Sequence, residues 1–132
     1  MNGSRIIDDT YNANLKSIEA AMRVLSGFPD KRFFVLGNVG ELGQWEEEHH
    51  RLIGQMASQL GLDGLFTCGL SSRYASEEFS NLGNELSFHC RDASALVDRL
   101  EDYLDSQTTV AVKGSRSSHM EDVVSKITLD RK

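Results

Sequence analysis

Side chains able to do chemistry gather in four stretches of this sequence, each at the point where an apolar run gives way to a helical pattern. The first, Asp8, Asp9, Thr10, Tyr11, Asn12, Ala13 and Asn14, holds two carboxylates, a phenol and two amides. Carboxylates accept from ribose hydroxyls, and N–H groups at a helix start face phosphate. The same residues also make an ordinary capped turn, since Asp and Asn favour turns and caps. The second stretch spaces its glycines as GxxGxxG (Gly37, Gly40, Gly43) around Glu41, which departs from the GxGxxG of a dinucleotide fingerprint. The third, Gly69, Leu70, Ser71, Ser72 and Arg73, either binds an anion or caps a helix. The fourth is Lys113, Gly114, Ser115, Arg116, Ser117 and Ser118, where two cations and three hydroxyls meet a helix start. It is the best anion site in the chain, although a structural origin for both cations stays open.

Other chemistry lacks its residues. His49 and His50 are adjacent, so on a helix they diverge by about 100° and cannot share a metal as an i, i+4 pair. No GxxxxGK[ST] loop, GxSxG elbow or CxxC pair occurs, and neither a metal site nor a complete catalytic set is expected.

The elements that must position these stretches alternate. Short β-rich runs at 5–9, 31–37, 64–68, 86–90 and 108–112 are separated by segments of helical period, as in βαβ units around a parallel sheet. Asn14 offers an N-cap to a helix with the stripe Ile18, Ala21, Met22 and Leu25, ended by Gly27. Helices are also expected over 44–60 (Leu52, Ile53, Met56 and Leu60 inward), 71–79, 93–104 (Leu96, Val97, Leu100 and Leu104 inward) and from about Ser117 (Met120, Val123, Val124 and Ile127). The expected fold is a Rossmann-like three-layer α/β domain, with a mostly parallel sheet of five or six strands flanked by helices. In such sheets ligands bind beyond the carboxyl ends of the strands, which is where all four stretches fall.

The 132 residues suit one domain over 1–132. Fourteen Lys and Arg against 20 Asp and Glu give a formal charge of −6, and without a basic run neither nucleic acid nor an anionic membrane is an expected partner. No apolar stretch reaches the roughly 18 residues of a spanning helix, and the amino terminus lacks signal-peptide regions, so a cytoplasmic protein is expected. Cys68 and Cys90 each close an apolar run and read as core thiols, not a disulfide.

Taken together, residues 7–14 with Ser17, then Gly37, Glu41, Leu42, Gly43 and His50, then Lys113, Gly114, Ser115, Arg116, Ser117, Met120 and Glu121 resemble the C-terminal domain of the bacterial Mur ligases. Within that family the resemblance is to the branch that adds D-alanyl-D-alanine to UDP-N-acetylmuramoyl-tripeptide, and it runs from about Ile6 to Ile127. It implies an ATP- and Mg²⁺-dependent peptide ligase of peptidoglycan synthesis. The N-terminal UDP-sugar domain and the central ATPase domain would lie outside this chain, leaving the domain inactive by itself and monomeric. The resemblance places Asp9, Tyr11, Asn12 and Asn14 on the nucleotide, and Lys113, Ser115 and Arg116, with Ser71 and Ser72, on the dipeptide carboxylate. Two positions depart from the family pattern: Leu15 stands where it has Pro, and Asn38 where it has Asp. The second departure leaves the 37–43 loop out of the expected site. The alternative is a stand-alone flavodoxin-like or receiver-like module binding a small anion or a protein partner, although no carboxylate ends the central strand.

Overall fold

The computed structural model describes residues 3–9, 14–37, 46–114 and 120–128, with the side chains at 8, 9, 121 and 128 outside that description. The order of elements is β1 (Arg5–Asp9), α1 (Leu15–Ser26), β2 (Lys31–Leu36), α2 (Glu46–Gln59), β3 (Gly64–Cys68), α3 (Arg73–Asn81), β4 (Ser87–Cys90), α4 (Ala93–Glu101), β5 (Thr108–Lys113) and α5 (Glu121–Thr128). The strands form one sheet in the order β1-β5-β2-β3-β4, and every neighbouring pair is parallel.

Strand alternation divides the core in two. Phe33 and Val35 of β2, with Phe66, Val110 and Val112, face α4 and α5 through Leu96, Leu100, Val123 and Ile127. Phe34 and Leu36, with Leu65 and Ala111, face α1, α2 and α3 through Ile18, Met22, Ile53 and Phe79. A strand covered on both faces must be apolar throughout, which is why residues 33–36 read as an unbroken hydrophobic run. The three connections from β1 to β4 run through one helix layer. The return from β4 to β5 runs through α4 on the other, as a right-handed crossover requires when the direction along the sheet reverses. Strand β5 therefore lies between β1 and β2, so the sheet changes direction there.

Local chemistry explains the boundaries. Asn14 Oδ1 accepts from the Ser17 amide at 2.9 Å while Ser17 Oγ accepts from the Asn14 amide at 3.0 Å, a reciprocal cap that starts α1. The sequence places Leu52 in the α2 stripe, but Leu52 is 42% exposed and the buried face is His50, Ile53, Gly54 and Ala57. The cause is a close approach to α3. A β-carbon at Gly54 would collide with the Ala75 carbonyl oxygen and come within 2.9 Å of Glu78 Cβ, so the helix turns its glycine, not its leucine, inward. Helix α3 begins at Arg73 instead of 71, α4 ends at Glu101 instead of 104, and β5 runs one residue further, to Lys113. Residue 117, expected to open the last helix, lies outside the described residues.

Both thiols are free and pack in the core, as their positions in the sequence suggest. Burial pushes the Cys68 thiol up to about 11 and raises Cys90 as well, so neither is a thiolate at neutral pH. No helix is long and apolar enough to cross a membrane among the described residues.

Candidate functional site

At the carboxyl edge of the sheet, backbone register sets Asp9 of β1 beside Lys113 of β5, and Lys113 beside Leu36 of β2. The Gly37 amide donates to the Lys113 carbonyl at 2.9 Å, extending that contact past the end of β2. Lys113 is buried, at 2% exposure. The strand order thus gathers the ends of β1, β5 and β2, the strands that precede the first, fourth and second polar stretches. Tyr11, Asn12, Ser115 and Arg116 lie outside the described residues, as does the side chain of Asp9. Asn14 is described, and its carboxamide oxygen is committed to the cap of α1.

Two strands along, the ends of β3 and β4 carry a second group. Gly69 takes φ +105, a conformation side-chain-bearing residues rarely adopt, and turns the chain into α3. The Ser72 hydroxyl, fully enclosed, donates to the Cys68 carbonyl at 2.6 Å. The resemblance sets Ser72 beside Ser71 on a ligand; in the fold its hydroxyl ties the helix entry to the end of β3. Ser71, Arg73 and Tyr74 line a cavity of about 880 Å³ with Glu46, His89 and Arg91. Two guanidinium groups lie over the Tyr74 ring, Arg73 4.7 Å and Arg51 5.1 Å from its centre. Arg51 also pairs with Glu47 and Glu77, so the seam between α2 and α3 is ionically closed. Arg73 makes no ion pair among the described residues and donates to the Tyr74 hydroxyl at 2.9 Å.

His89 is the group the sequence reading passed over. It is the β4 register partner of Thr67, and its Nδ1 lies 2.7 Å from Thr67 Oγ1, which lies 2.7 Å from Ser76 Oγ. Ser76 Oγ donates in turn to the Phe88 carbonyl at 3.3 Å. Burial holds the His89 imidazole below its usual range, reinforced by Arg73 and opposed by Glu77, so it is neutral at pH 7. The available signal was its phase. In the run Ser87, Phe88, His89 and Cys90, His89 faces away from Phe88 and Cys90 and toward the α3 side.

His50 sits at the start of α2, enclosed, with Nδ1 2.7 Å from the Glu46 carbonyl. A carbonyl only accepts, so Nδ1 carries the proton; burial keeps this ring neutral too. No group of three or more His, Cys, Asp or Glu that could hold a metal occurs among the described residues. The arrangement can therefore bind a small polar ligand carrying both charges, through guanidinium, hydroxyl, carboxylate and neutral imidazole groups around one cavity.

The family model for the Mur ligase glutamate ligase domain matches residues 1–116. The UDP-N-acetylmuramoyl-tripeptide--D-alanyl-D-alanine ligase of Escherichia coli is 39% identical over 121 residues, which cover 90% of this chain and 26% of that protein. Among solved structures, MurF from Acinetobacter baumannii superposes with a TM-score of 0.83 at 27% identity, covering 96% of this chain and 28% of the other. The MurF ligase from Thermotoga maritima, solved in complex with ADP, gives 0.80 at 26% identity, covering 93% and 27%. The chain spans about a quarter of the length of the curated relatives it matches.

Proposed function

The chain belongs to the Mur ligase family through its glutamate ligase domain, and on that premise we propose that it is the substrate-binding and cleft-closing part of a cytoplasmic ATP-dependent ligase. The reaction is the joining of D-Ala-D-Ala to UDP-N-acetylmuramoyl-tripeptide in peptidoglycan precursor synthesis. The observation that carries this reading is the 39% identity to the Escherichia coli ligase across 90% of the chain. The polar loops at the carboxyl edge of the sheet support it, being where an α/β sheet holds its ligands.

In this reading residues 1–132 form one monomeric domain that acts with a UDP-sugar domain and an ATPase domain, the latter supplying the phosphate loop and Mg²⁺. Asp9, Tyr11, Asn12 and Asn14 face the nucleotide, and Asn14 also fixes the start of α1. Lys113, Ser115 and Arg116, with Ser71 and Ser72, take the dipeptide carboxylate, and the Ser72 hydroxyl also holds this loop to β3. ATP activates the tripeptide carboxylate as an acyl phosphate, and the dipeptide amine attacks it. Domain closure excludes water and sets the amine in line with that carbon, an effect worth far more than any single contact.

The test places this chain in the Escherichia coli ligase in exchange for the 121-residue segment it matches. Ligation of D-Ala-D-Ala is expected, and Lys113→Gln should raise the KM for the dipeptide about tenfold or more, as loss of a charged hydrogen bond does. An unchanged KM and kcat in that variant would overturn the assignment of Lys113.

A further inference from the structure

The hydrogen-bond chain behind His89 has a direction. A carbonyl oxygen accepts and never donates, so Ser76 gives its one hydroxyl proton to the Phe88 carbonyl, at 3.3 Å. Ser76 Oγ must then accept the Thr67 proton across 2.7 Å, and Thr67 Oγ1 must accept from His89 Nδ1 across another 2.7 Å. Only this orientation makes all three bonds. The neutral ring is thereby the Nδ1–H tautomer, and its lone pair sits on Nε2, on the ring edge turned away from Thr67. His89 lines both the 880 Å³ cavity and a smaller one of about 400 Å³ beside it, so that open edge is the one a ligand meets.

The surroundings decide what the lone pair receives. A neutral imidazole nitrogen accepts, and Glu46 in the larger cavity and Glu77 in the smaller add carboxylates that favour a cation. Ser71, which the ligase reading puts on the dipeptide carboxylate, lines the larger cavity together with Arg73 and Arg91, so the negative end of the same ligand meets partners there as well. We propose that His89 is a ligand-positioning residue whose Nε2 accepts a hydrogen bond from the free ammonium group of a zwitterionic amino acid or dipeptide held in this cavity. The inference rests on the ligase reading above and extends it, because that reading places only the carboxylate of the dipeptide.

The experiment uses the 132-residue chain labelled with nitrogen-15, with D-Ala-D-Ala and N-acetyl-D-Ala-D-Ala as probes. Before ligand is added, the His89 ring should show a pyridine-type Nε2 and a pyrrole-type Nδ1; the reverse pattern overturns the inference. Adding D-Ala-D-Ala should shift Nε2, and the N-acetylated probe, which has no ammonium, should bind about tenfold more weakly. His89→Asn keeps a donor for Thr67 but loses the Nε2 acceptor, and should weaken D-Ala-D-Ala binding about tenfold; His89→Gln, whose side-chain oxygen reaches the Nε2 position, should restore most of it. Equal binding of the two probes, or equal affinity in the Asn and Gln variants, overturns the inference and leaves the ligase reading intact. Shifts at Ser71 and Arg73 with none at His89 do the same. A dipeptide that shifts Lys113 or Ser115 but nothing around the cavity overturns the inference alone, and one that shifts nothing in the chain also overturns the assignment of the dipeptide to this domain.

Discussion

The two ends of the sheet treat their charges in opposite ways. At the amino end, Lys31 Nζ pairs with Asp105 at 2.9 Å and Arg32 Nε with Asp63 at 3.2 Å. The Arg32 guanidinium goes further, donating to the Ser26 carbonyl at 2.9 Å and the Gly61 carbonyl at 2.6 Å, where α1 ends and the turn after α2 begins. Each cation there ties loops together. At the carboxyl end of β3 and β4, Arg73 makes no ion pair among the described residues, Arg91 meets Asp92 only at 3.6 Å, and both line a cavity. One end of the strands is cross-linked by its charges, whereas beyond β3 and β4 two guanidinium groups line a cavity. That division is what an α/β sheet with its ligands beyond the carboxyl ends requires.

The largest expected effect breaks the amino end. Arg32→Ala removes one ion pair and two bonds to loop carbonyls from a side chain that is only 19% exposed. Discounted for that partial exposure, the loss should be about 2 kcal/mol in denaturant unfolding. Arg32→Lys should recover only part of it, because an ammonium cannot reach three separated oxygens in the fork geometry of a guanidinium. Full recovery by Lys would mean that charge alone holds this end, and would remove the contrast in geometry between the two ends.

Much of this was legible in the sequence because it depends on spacing. The runs at residues 5–9 and 64–68 match β1 and β3, and Ile18, Met22 and Leu25 are all buried as the 3.6-residue period requires. What periodicity cannot encode is the approach of one element to another. Leu52 is as apolar as Ile53, yet Gly54 decides which of them faces inward, since it alone lets α2 close on α3. His89 escaped for a similar reason. Its role depends on Thr67 in the neighbouring strand and Ser76 in α3, residues 22 and 13 positions away that only the parallel register brings together. The third polar stretch was read as one unit, whereas the fold separates it, enclosing Ser72 and opening Arg73 to the cavity.

A smaller effect sharpens the amino end by pH. The Lys31 ammonium, with the Gln107 amide and Thr108 hydroxyl, holds the Asp105 carboxyl down to about 2 from an ordinary 3.8. A carboxyl depressed on folding stabilises above its unfolded pKa and loses that contribution as pH falls through its folded one. The difference in stability between the native chain and Asp105→Asn should therefore be complete above about pH 4 and fade between about pH 4 and pH 2. Asp105 is solvent-exposed, so added salt should shrink the difference. A gap that persists unchanged at pH 2 would show that Asp105 acts through turn hydrogen bonds that an amide does not reproduce, instead of through its charge.

The smallest effect on stability belongs to the carboxyl end, and it decides whether the comparison is real. Arg73 opens α3, where the helix dipole disfavours a cation, so removing it relieves a small repulsion while losing its stacking on Tyr74. These terms oppose each other on an exposed residue, and Arg73→Ala should change unfolding free energy by no more than about 0.5 kcal/mol. The Tyr74 ring keeps its contact with Arg51, which continues to pair with Glu47 and Glu77, so the wall of the cavity stays in place. Binding of D-Ala-D-Ala should nevertheless weaken, since among the described residues the lost guanidinium is the one cation lining both cavities beside His89. A stability loss as large as that of Arg32→Ala, with binding unchanged, would mean that the cations at both ends serve the fold.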